Sequence, residues 1–532
     1  MANIGTYERT YASFEWETPE KFNFGRDVID GWPSEKPAMV WLGNDGSERR
    51  LTFGDFTRIS NKFANVAKSL GVEKGDRVMV LMGKVPEWHA IMIGLLKAGA
   101  VTIPCAPQLR SGDLEFRASH SGSVLLISDQ SDIEEAEKAN MPNVKNLVSL
   151  GAERDGWQSY EKLMESASEE FEVEDTSASD NAFMLYTSGT TKHPKGVVQS
   201  HGYTQGKRME AFYWLDLQEN DRLWCTSGTG WAKSIWNVFI GPWSLGTELF
   251  FHEDGFDPAE RLRLIEEYDI TVLCQAPTEY RLLTKTKELE NASLSKLRHV
   301  VSAGEPLNPP VIERWKELHN FTIYDGYGQT ENTLLVGNFP GVEVRPGSMG
   351  KPSPGCDVKV IDMEGNECPV DEPGDIALSG DIPVLFEGYW EQPDETEACY
   401  RAGYYLTGDR AYRDSDGYLW FVGRSDDVIL SAGYRIGPFE VESALIEHEA
   451  VVESAVVASP DEDRGSIVKA FVVLGKDYEP SDELVKELQD FCKSHTAPYK
   501  YPRKIEFVAD LPKTTSGKIR RVELRQSETS DA

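Results

Sequence analysis

Between Arg77 and Asp129 the chain alternates short apolar runs with a helix-length segment, which commits this stretch to layered α/β structure. Val78–Leu81, Val101–Ile103 and Val124–Ile127 read as strands, and Glu87–Lys97 as a helix between the first two. Strands joined by helical crossovers pair in parallel, and the helices then cover the sheet. The same alternation returns from Pro258 to Asp325: a helix to Tyr268, the strand Ile270–Cys274, a helix through Leu289, the strand His299–Ser302, a helix to Leu318 and the strand Phe321–Tyr324. After Gly347 the spacing shortens. Asp357–Ile361, Asp375–Leu378 and Tyr418–Val422 are short strands parted by turns, which predicts a small antiparallel, β-barrel-like unit. The helix Phe439–His448, the strands Val452–Ala458 and Val468–Leu474 and the helix Asp482–His495 then form a compact α+β tail. A chain of 532 residues exceeds what one hydrophobic core supports, and this reading gives a large domain over residues 1–424 and a small one over 425–532. Met164–Asp180, rich in Glu and Ser, reads as an exposed connector.

Charge narrows the partners. Basic residues number 55 and acidic ones 88, a net charge of −33, so a phosphate backbone or an anionic membrane would be repelled over most of the surface. Such an acidic surface suits a high-salt habitat, because salt screens the self-repulsion. The most apolar long window, His89–Pro107, is broken by Lys97, Gly99 and Pro104, so no membrane span is expected. Met1–Thr10 lacks the basic patch and apolar core of a secretory signal. The seven cysteines form no C-x-x-C pair and read as reduced packing residues in a cytoplasmic protein.

The first chemistry-bearing segment is Tyr186-Thr-Ser-Gly-Thr-Thr-Lys-His-Pro-Lys-Gly196, which follows the apolar run Ala182–Leu185. Hydroxyls, glycines and lysines at this density are the ingredients of a phosphate cradle. It is not a Walker A loop, because no G-K-[ST] follows Gly189. Further motifs follow in order: Ser302-Ala-Gly-Glu-Pro306, Asp325-Gly-Tyr-Gly-Gln-Thr-Glu331, Tyr405-Leu-Thr-Gly-Asp409, Gly423–Ile429 running into Gly433–Pro438, and Pro512-Lys-Thr-Thr-Ser-Gly-Lys-Ile-Arg520.

In this order the motifs resemble those of the adenylate-forming superfamily: the acyl- and aryl-CoA synthetases, luciferases and peptide-synthetase adenylation domains. Phe22–Trp32, Arg77–Gly99 and Cys225–Trp243 look like the medium-chain acyl-CoA synthetases. The resemblance implies an ATP-dependent acid–thiol ligase that forms an acyl-adenylate and pyrophosphate, then an acyl-CoA and AMP. It implies that Thr187, Ser188, Gly189, Thr190, Thr191 and Lys195 hold the β- and γ-phosphates, with Thr330 at the α-phosphate and Glu331 binding Mg²⁺. Gly304, Glu305, Pro306, Asp325, Gly326 and Tyr327 would form the adenine slot, and Asp409, supported by Arg424, would receive the ribose hydroxyls. Lys518 would be the catalytic lysine, Asp426 the hinge of a mobile C-terminal domain, and Gly433 with Tyr434 the coenzyme A contact. Trp231 and Gly328 would bound the acyl pocket: acetyl-specific relatives carry a tryptophan at the position of Gly328, so a glycine there is expected to open room for a medium-chain acid. The implied partners are thus a carboxylic acid, ATP, coenzyme A and Mg²⁺, and homodimers are common in that subgroup. Another acyl acceptor, or an aryl acid substrate, is the alternative reading.

Two departures stand out. Lys192 occupies a position where the phosphate loop ordinarily has glycine, and Ala432 one where many relatives have serine. Independently of any likeness, Lys493–Arg525 carries nine basic and three acidic residues, a balance of +6 that suits polyanions such as ATP and coenzyme A.

Overall fold

The structure, a computed structural model, describes every residue except 1, 152, 188–193, 254, 426, 432–433, 462–463, 514–518 and 531–532. Two large sheets dominate it. One runs Gly388–Tyr389, Lys195–Ser200, Asn181–Thr187, Val101–Cys105, Arg77–Leu81, Leu125–Asp129, Asn146–Leu150, Gln158–Ser159. Its centre is the alternating stretch from Arg77 to Asp129, paired in parallel. The other carries the second alternating stretch: Val272–Gln275, His299–Ala303 and Ile323–Gly328 lie side by side in parallel. Pro37–Leu42 and Glu48–Thr52 complete its far edge.

The helix Pro86–Lys97 joins the two sheets. Every residue of it except Glu87 is buried, as in a helix covered on all sides. Trp88 meets Phe239 with ring centroids 5.9 Å apart, and His89 meets Trp243 at 4.8 Å and Phe251, on the nine-stranded sheet, at 4.9 Å. One hydrophobic cluster therefore passes through both sheets, each fully buried large apolar side chain stabilising it by about 1.5–3 kcal/mol. At the helix end the buried Lys97 ammonium donates to Asp30 and Asn61 at 2.7 Å each, and burial pulls its pKa below the ordinary value against the pull of Asp30.

The short strands after Gly347 form a five-stranded antiparallel sheet in which Tyr404–Arg413 pairs with Gly374–Ser379 on one side and Leu419–Arg424 on the other. In the C-terminal part, Val451–Asp461 and Gly465–Leu474 pair antiparallel, with Lys504–Phe507 added in parallel. Alternation along the first strand sends Val456 toward the helices Pro438–Ile446 and Asp482–His495, and Ala455 and Val457 toward Leu511 and Leu524. Both faces are thus covered.

One expectation needs correcting. Met164–Asp180 is not exposed throughout: Thr176 is fully buried, its carbonyl accepts the Phe22 N–H at 3.1 Å, and its hydroxyl donates to the Phe22 carbonyl at 2.6 Å. A polar composition signals solvent, but here backbone pairing with the N-terminal segment ties the connector down.

Candidate active site

A cavity of about 1400 Å³ opens at the carboxyl ends of the parallel strands His299–Ala303 and Ile323–Gly328, the usual place for ligands in α/β sheets. Their register sets Ser302 beside Asp325 and Ala303 beside Gly326. Gly304, Glu305 and Pro306 therefore emerge next to Asp325, Gly326 and Tyr327, and all six line the cavity. Gly304 has φ +116°, with open space where a Cβ would be, so conformation rather than crowding requires glycine there. Glu305 is already engaged: it accepts the Thr278 N–H at 2.9 Å and pairs with Arg281 at 3.0 Å, fastening the loop to the helix Pro277–Thr284. Asp325 differs. Its Oδ1 is buried without a hydrogen-bond partner among the described residues, and burial above all pushes the carboxyl up to about 8. An orphaned acceptor in a cavity wall suits an N–H donor such as an adenine amino group.

Asp409 is 6% exposed and lies opposite Arg424 in the antiparallel sheet. Its Oδ2 accepts from the Tyr327 hydroxyl at 2.6 Å and from Gln329 Nε2 at 3.0 Å. Gln329 Nε2 also donates to the Thr407 carbonyl at 2.7 Å.

Thr187 and Lys195 face each other across the hairpin Asn181–Thr187/Lys195–Ser200 and both line the cavity. Ser188, Gly189, Thr190 and Thr191 lie outside the described residues, as does Lys192. Lys195 pairs with Glu395 at 2.6 Å, and its ammonium sits 4.5 Å from the centroid of the Tyr389 ring. Thr330 accepts from Gln199 Nε2 at 2.7 Å through its carbonyl. Glu331 Oε1 accepts from the Tyr389 hydroxyl at 2.8 Å, and Oε2 has no hydrogen-bond partner among the described residues. No cluster of three or more His, Cys, Asp or Glu that could hold a metal occurs among the described residues. A single hard carboxylate in the cavity wall fits Mg²⁺, which binds through one or two carboxylates with substrate phosphates and water.

Trp231 and Gly328 both line the cavity, Trp231 half-buried against the cluster containing Met184 and Tyr186. The expectation that Gly328 leaves room by lacking a side chain is not what the geometry shows. A Cβ at Gly328 would sit 2.0 Å from the Thr333 carbonyl oxygen. The glycine admits the next turn of backbone, and the space beside its Cα is already filled.

The C-terminal part supplies the remaining wall. Beside Arg424, the residues Ser425, Asp427, Ile519, Arg520 and Arg521 line the cavity, while Lys518, Asp426 and Gly433 lie outside the described residues. Arg521 grips the buried Glu442 carboxylate with Nη2 at 2.7 and 2.8 Å. Asn308 Nδ2 donates to Ser443 Oγ at 3.0 Å, and Lys285 Nζ to the Val451 and Val452 carbonyls at 3.2 Å, so polar contacts join the two parts. Tyr434 is not a cavity residue. It stands half-exposed, stacked on Tyr499 with centroids 4.3 Å apart.

Comparison with known proteins matches residues 26–390 to the AMP-binding enzyme model and residues 440–518 to the AMP-binding enzyme C-terminal domain. The chain belongs to the adenylate-forming, AMP-binding enzyme family. Within this family it is similar to the acyl-coenzyme A synthetase ACSM3, mitochondrial, of Rattus norvegicus, 44% identical over 99% of this chain and 94% of that protein. It is also similar to an uncharacterized acyl–CoA ligase, YtcI, of Bacillus subtilis, 44% identical over 93% of each. Among solved structures, the anthranilate CoA ligase AuaEII with anthranoyl-AMP superposes with a TM-score of 0.90 at 31% identity, covering 96% of this chain and 98% of that one. The Brucella canis acyl-CoA synthetase gives 0.77 at 34% identity, covering 99% of each.

Sequence reasoning missed several residues that this AMP-binding enzyme places at the cavity. Gln329 lay inside a quoted motif without a role. Arg521 lay in the basic tail, where only charge was counted. Tyr389 belongs to the two-residue strand Gly388–Tyr389, too short to register as an element.

Proposed function

We propose that the protein is an ATP-dependent acyl-CoA ligase acting on medium-chain carboxylic acids in two steps. A carboxylate oxygen attacks the α-phosphorus of ATP, the bond to pyrophosphate breaks, and a mixed anhydride forms. The sulfur of coenzyme A then attacks the acyl carbon, the thiol proton is lost, and AMP leaves with the original carboxylate oxygen. Adenylation is needed because a carboxylate is a poor electrophile, and holding the reactants in line supplies much of the rate.

One observation carries the reading: a single cavity is lined by Asp325, Tyr327 and Asp409, by Thr187, Lys195 and Glu331, and by Ile519–Arg521, which directly follow Lys518. In this reading Asp325 and the 304–306 loop take the base, Asp409 the ribose, and Thr187, Thr330 and Lys195 the phosphates. Glu331 would hold Mg²⁺, which when bound neutralises charge along the triphosphate. Lys518 would bring its ammonium to the carboxylate and α-phosphate as negative charge accumulates.

Tyr434 stands outside the cavity, which supports a rotation of the C-terminal part about Asp426 between the steps. The exposed Tyr434–Tyr499 stack has Lys500 within 5.8 Å of the Tyr499 ring centroid, and Lys493 and Arg503 over Tyr501 at 4.4 and 5.0 Å. Aromatic faces beside cations suit the nucleotide end of coenzyme A. The medium-chain assignment rests on Trp231 as a cavity wall and on the likeness of Cys225–Trp243, no longer on Gly328. All seven cysteines are free thiols, which supports a reducing compartment such as the cytoplasm.

The test is ATP-dependent thioester formation across acetate, butyrate, hexanoate, octanoate, laurate and benzoate. Turnover should require coenzyme A, and kcat/KM should climb toward roughly four to ten carbons, each buried CH₂ contributing up to about 0.8 kcal/mol. Pyrophosphate release with no thioester from any acid would reject the ligase reading.

A further inference from the structure

Tyr389 stands between the two groups assigned to the triphosphate. Its strand pairs antiparallel with Lys195–Ser200, setting Tyr389 beside Val197 and Gly388 beside Val198. Flanking backbone bonds fasten the same segment: Trp390 N–H to the Gly196 carbonyl at 2.8 Å and Glu387 N–H to the Val198 carbonyl at 2.9 Å. On the other side the Phe386 N–H donates to the Glu331 carbonyl at 2.8 Å. The segment 386–390 is thus bonded at once to the strand that begins with Lys195 and to the residue proposed to hold the metal.

The side chain repeats this bridge. Its hydroxyl donates to Glu331 Oε1 at 2.8 Å, and its ring face lies 4.5 Å from the Lys195 ammonium. A glutamate side chain is otherwise free to rotate, and one tethered oxygen fixes where the other points. A lysine over an aromatic face is held without losing its N–H donors to the ring's owner.

We propose that Tyr389 is a positioning residue that sets the distance between the Lys195 ammonium and the second Glu331 oxygen, and so matches the site to metal-bound triphosphate. This rests on the assignment of Glu331 and Lys195 in the proposed function. The hydroxyl serves the metal side and the ring serves the phosphate side, so the two can be separated by substitution.

The experiment is calorimetric titration of ATP into the full chain, with Mg²⁺ and with EDTA, for wild type, Tyr389→Phe, Tyr389→Ala and Glu331→Gln. Circular dichroism melts of each variant establish that it is folded. Tyr389→Phe should bind metal-free ATP as wild type does and lose about tenfold of the affinity gained on adding Mg²⁺. Tyr389→Ala should weaken both, because Lys195 loses the ring as well. Glu331→Gln should remove the Mg²⁺-dependent gain, and combining it with Tyr389→Phe should cost nothing more. If Glu331→Gln removes the gain while Tyr389→Phe keeps it, the positioning role is overturned and the metal assignment stands. A Tyr389→Phe variant weakened equally in EDTA and in Mg²⁺ would likewise overturn it. If Glu331→Gln keeps the gain, the metal assignment itself is wrong.

Discussion

Tyr327 donates its phenol hydrogen to Asp409 Oδ2 at 2.6 Å, tying the large sheet that carries the Asp325–Glu331 motif to the antiparallel sheet that carries Asp409. Gln329 donates to the same oxygen at 3.0 Å. Asp409→Ala leaves both donors without this partner, a cost of about 1–3 kcal/mol. ATP affinity should fall roughly 10- to 100-fold, with Tyr327→Phe losing less. Calorimetric binding of ATP checks this, and wild-type affinity in Asp409→Ala would remove Asp409 from the ribose site.

Asp325 predicts a pH dependence. Its folded pKa is raised by burial from 3.8 to about 8. A carboxyl that holds its proton more tightly when folded gives stability that is fully present below the unfolded pKa and is lost as pH rises through the folded one. The loss is at most about 1.4 kcal/mol per pH unit. Asp325→Asn cannot ionise, so its melting temperature relative to wild type should rise from about pH 5 to 8 and then level off. An offset that does not change with pH would contradict the burial argument.

If Lys195 binds the triphosphate as proposed, it does so against a competitor, because Glu395 holds it at 2.6 Å. Glu395 is half-exposed, so the pair is worth no more than about 1 kcal/mol. Glu395→Gln should therefore tighten ATP binding by up to about fivefold in dilute salt and by less in molar KCl, where the wild-type pair is already screened. Equilibrium titration at the two salt concentrations reads the difference. Weaker ATP binding in Glu395→Gln would show that Glu395 helps position the lysine instead.

Gly328→Ala should destabilise the fold rather than reset chain-length preference. The added Cβ meets the Thr333 carbonyl oxygen at 2.0 Å, and a backbone atom cannot move aside as a flexible side chain can. A loss of about 1–3 kcal/mol in urea denaturation is expected. An alanine variant of wild-type stability that shifts preference toward acetate would restore Gly328 as the pocket floor.

Local patterning carried much of this architecture. The Asp482–His495 helix and the Asp357–Ile361 strand lie where periodicity and turn spacing put them, because each satisfies its burial along one face or one short pairing. Of the residues the motifs singled out, Thr187, Lys195, Gly304–Pro306, Asp325–Tyr327, Glu331, Asp409 and Arg424 line the cavity, and Tyr434 does not. What escaped depends on contacts distant in sequence. Gly388–Tyr389 pairs with Lys195–Ser200, nearly two hundred residues earlier in the chain, far beyond the window of roughly 11–18 residues in which local pattern is read. Gly328 looked like an empty pocket floor because the sequence does not show that Thr333 folds back onto it.

The central claim is that an acyl-adenylate lies between carboxylate and thioester, and oxygen transfer tests it most directly. The acid turned over best in the chain-length series would be supplied with both carboxylate oxygens as ¹⁸O, together with ATP, Mg²⁺ and coenzyme A, and the products weighed by mass spectrometry. The account predicts one labelled oxygen in AMP for each thioester formed and none in pyrophosphate. Label appearing in inorganic phosphate with ADP as co-product, or thioester formed with unlabelled AMP, would contradict it.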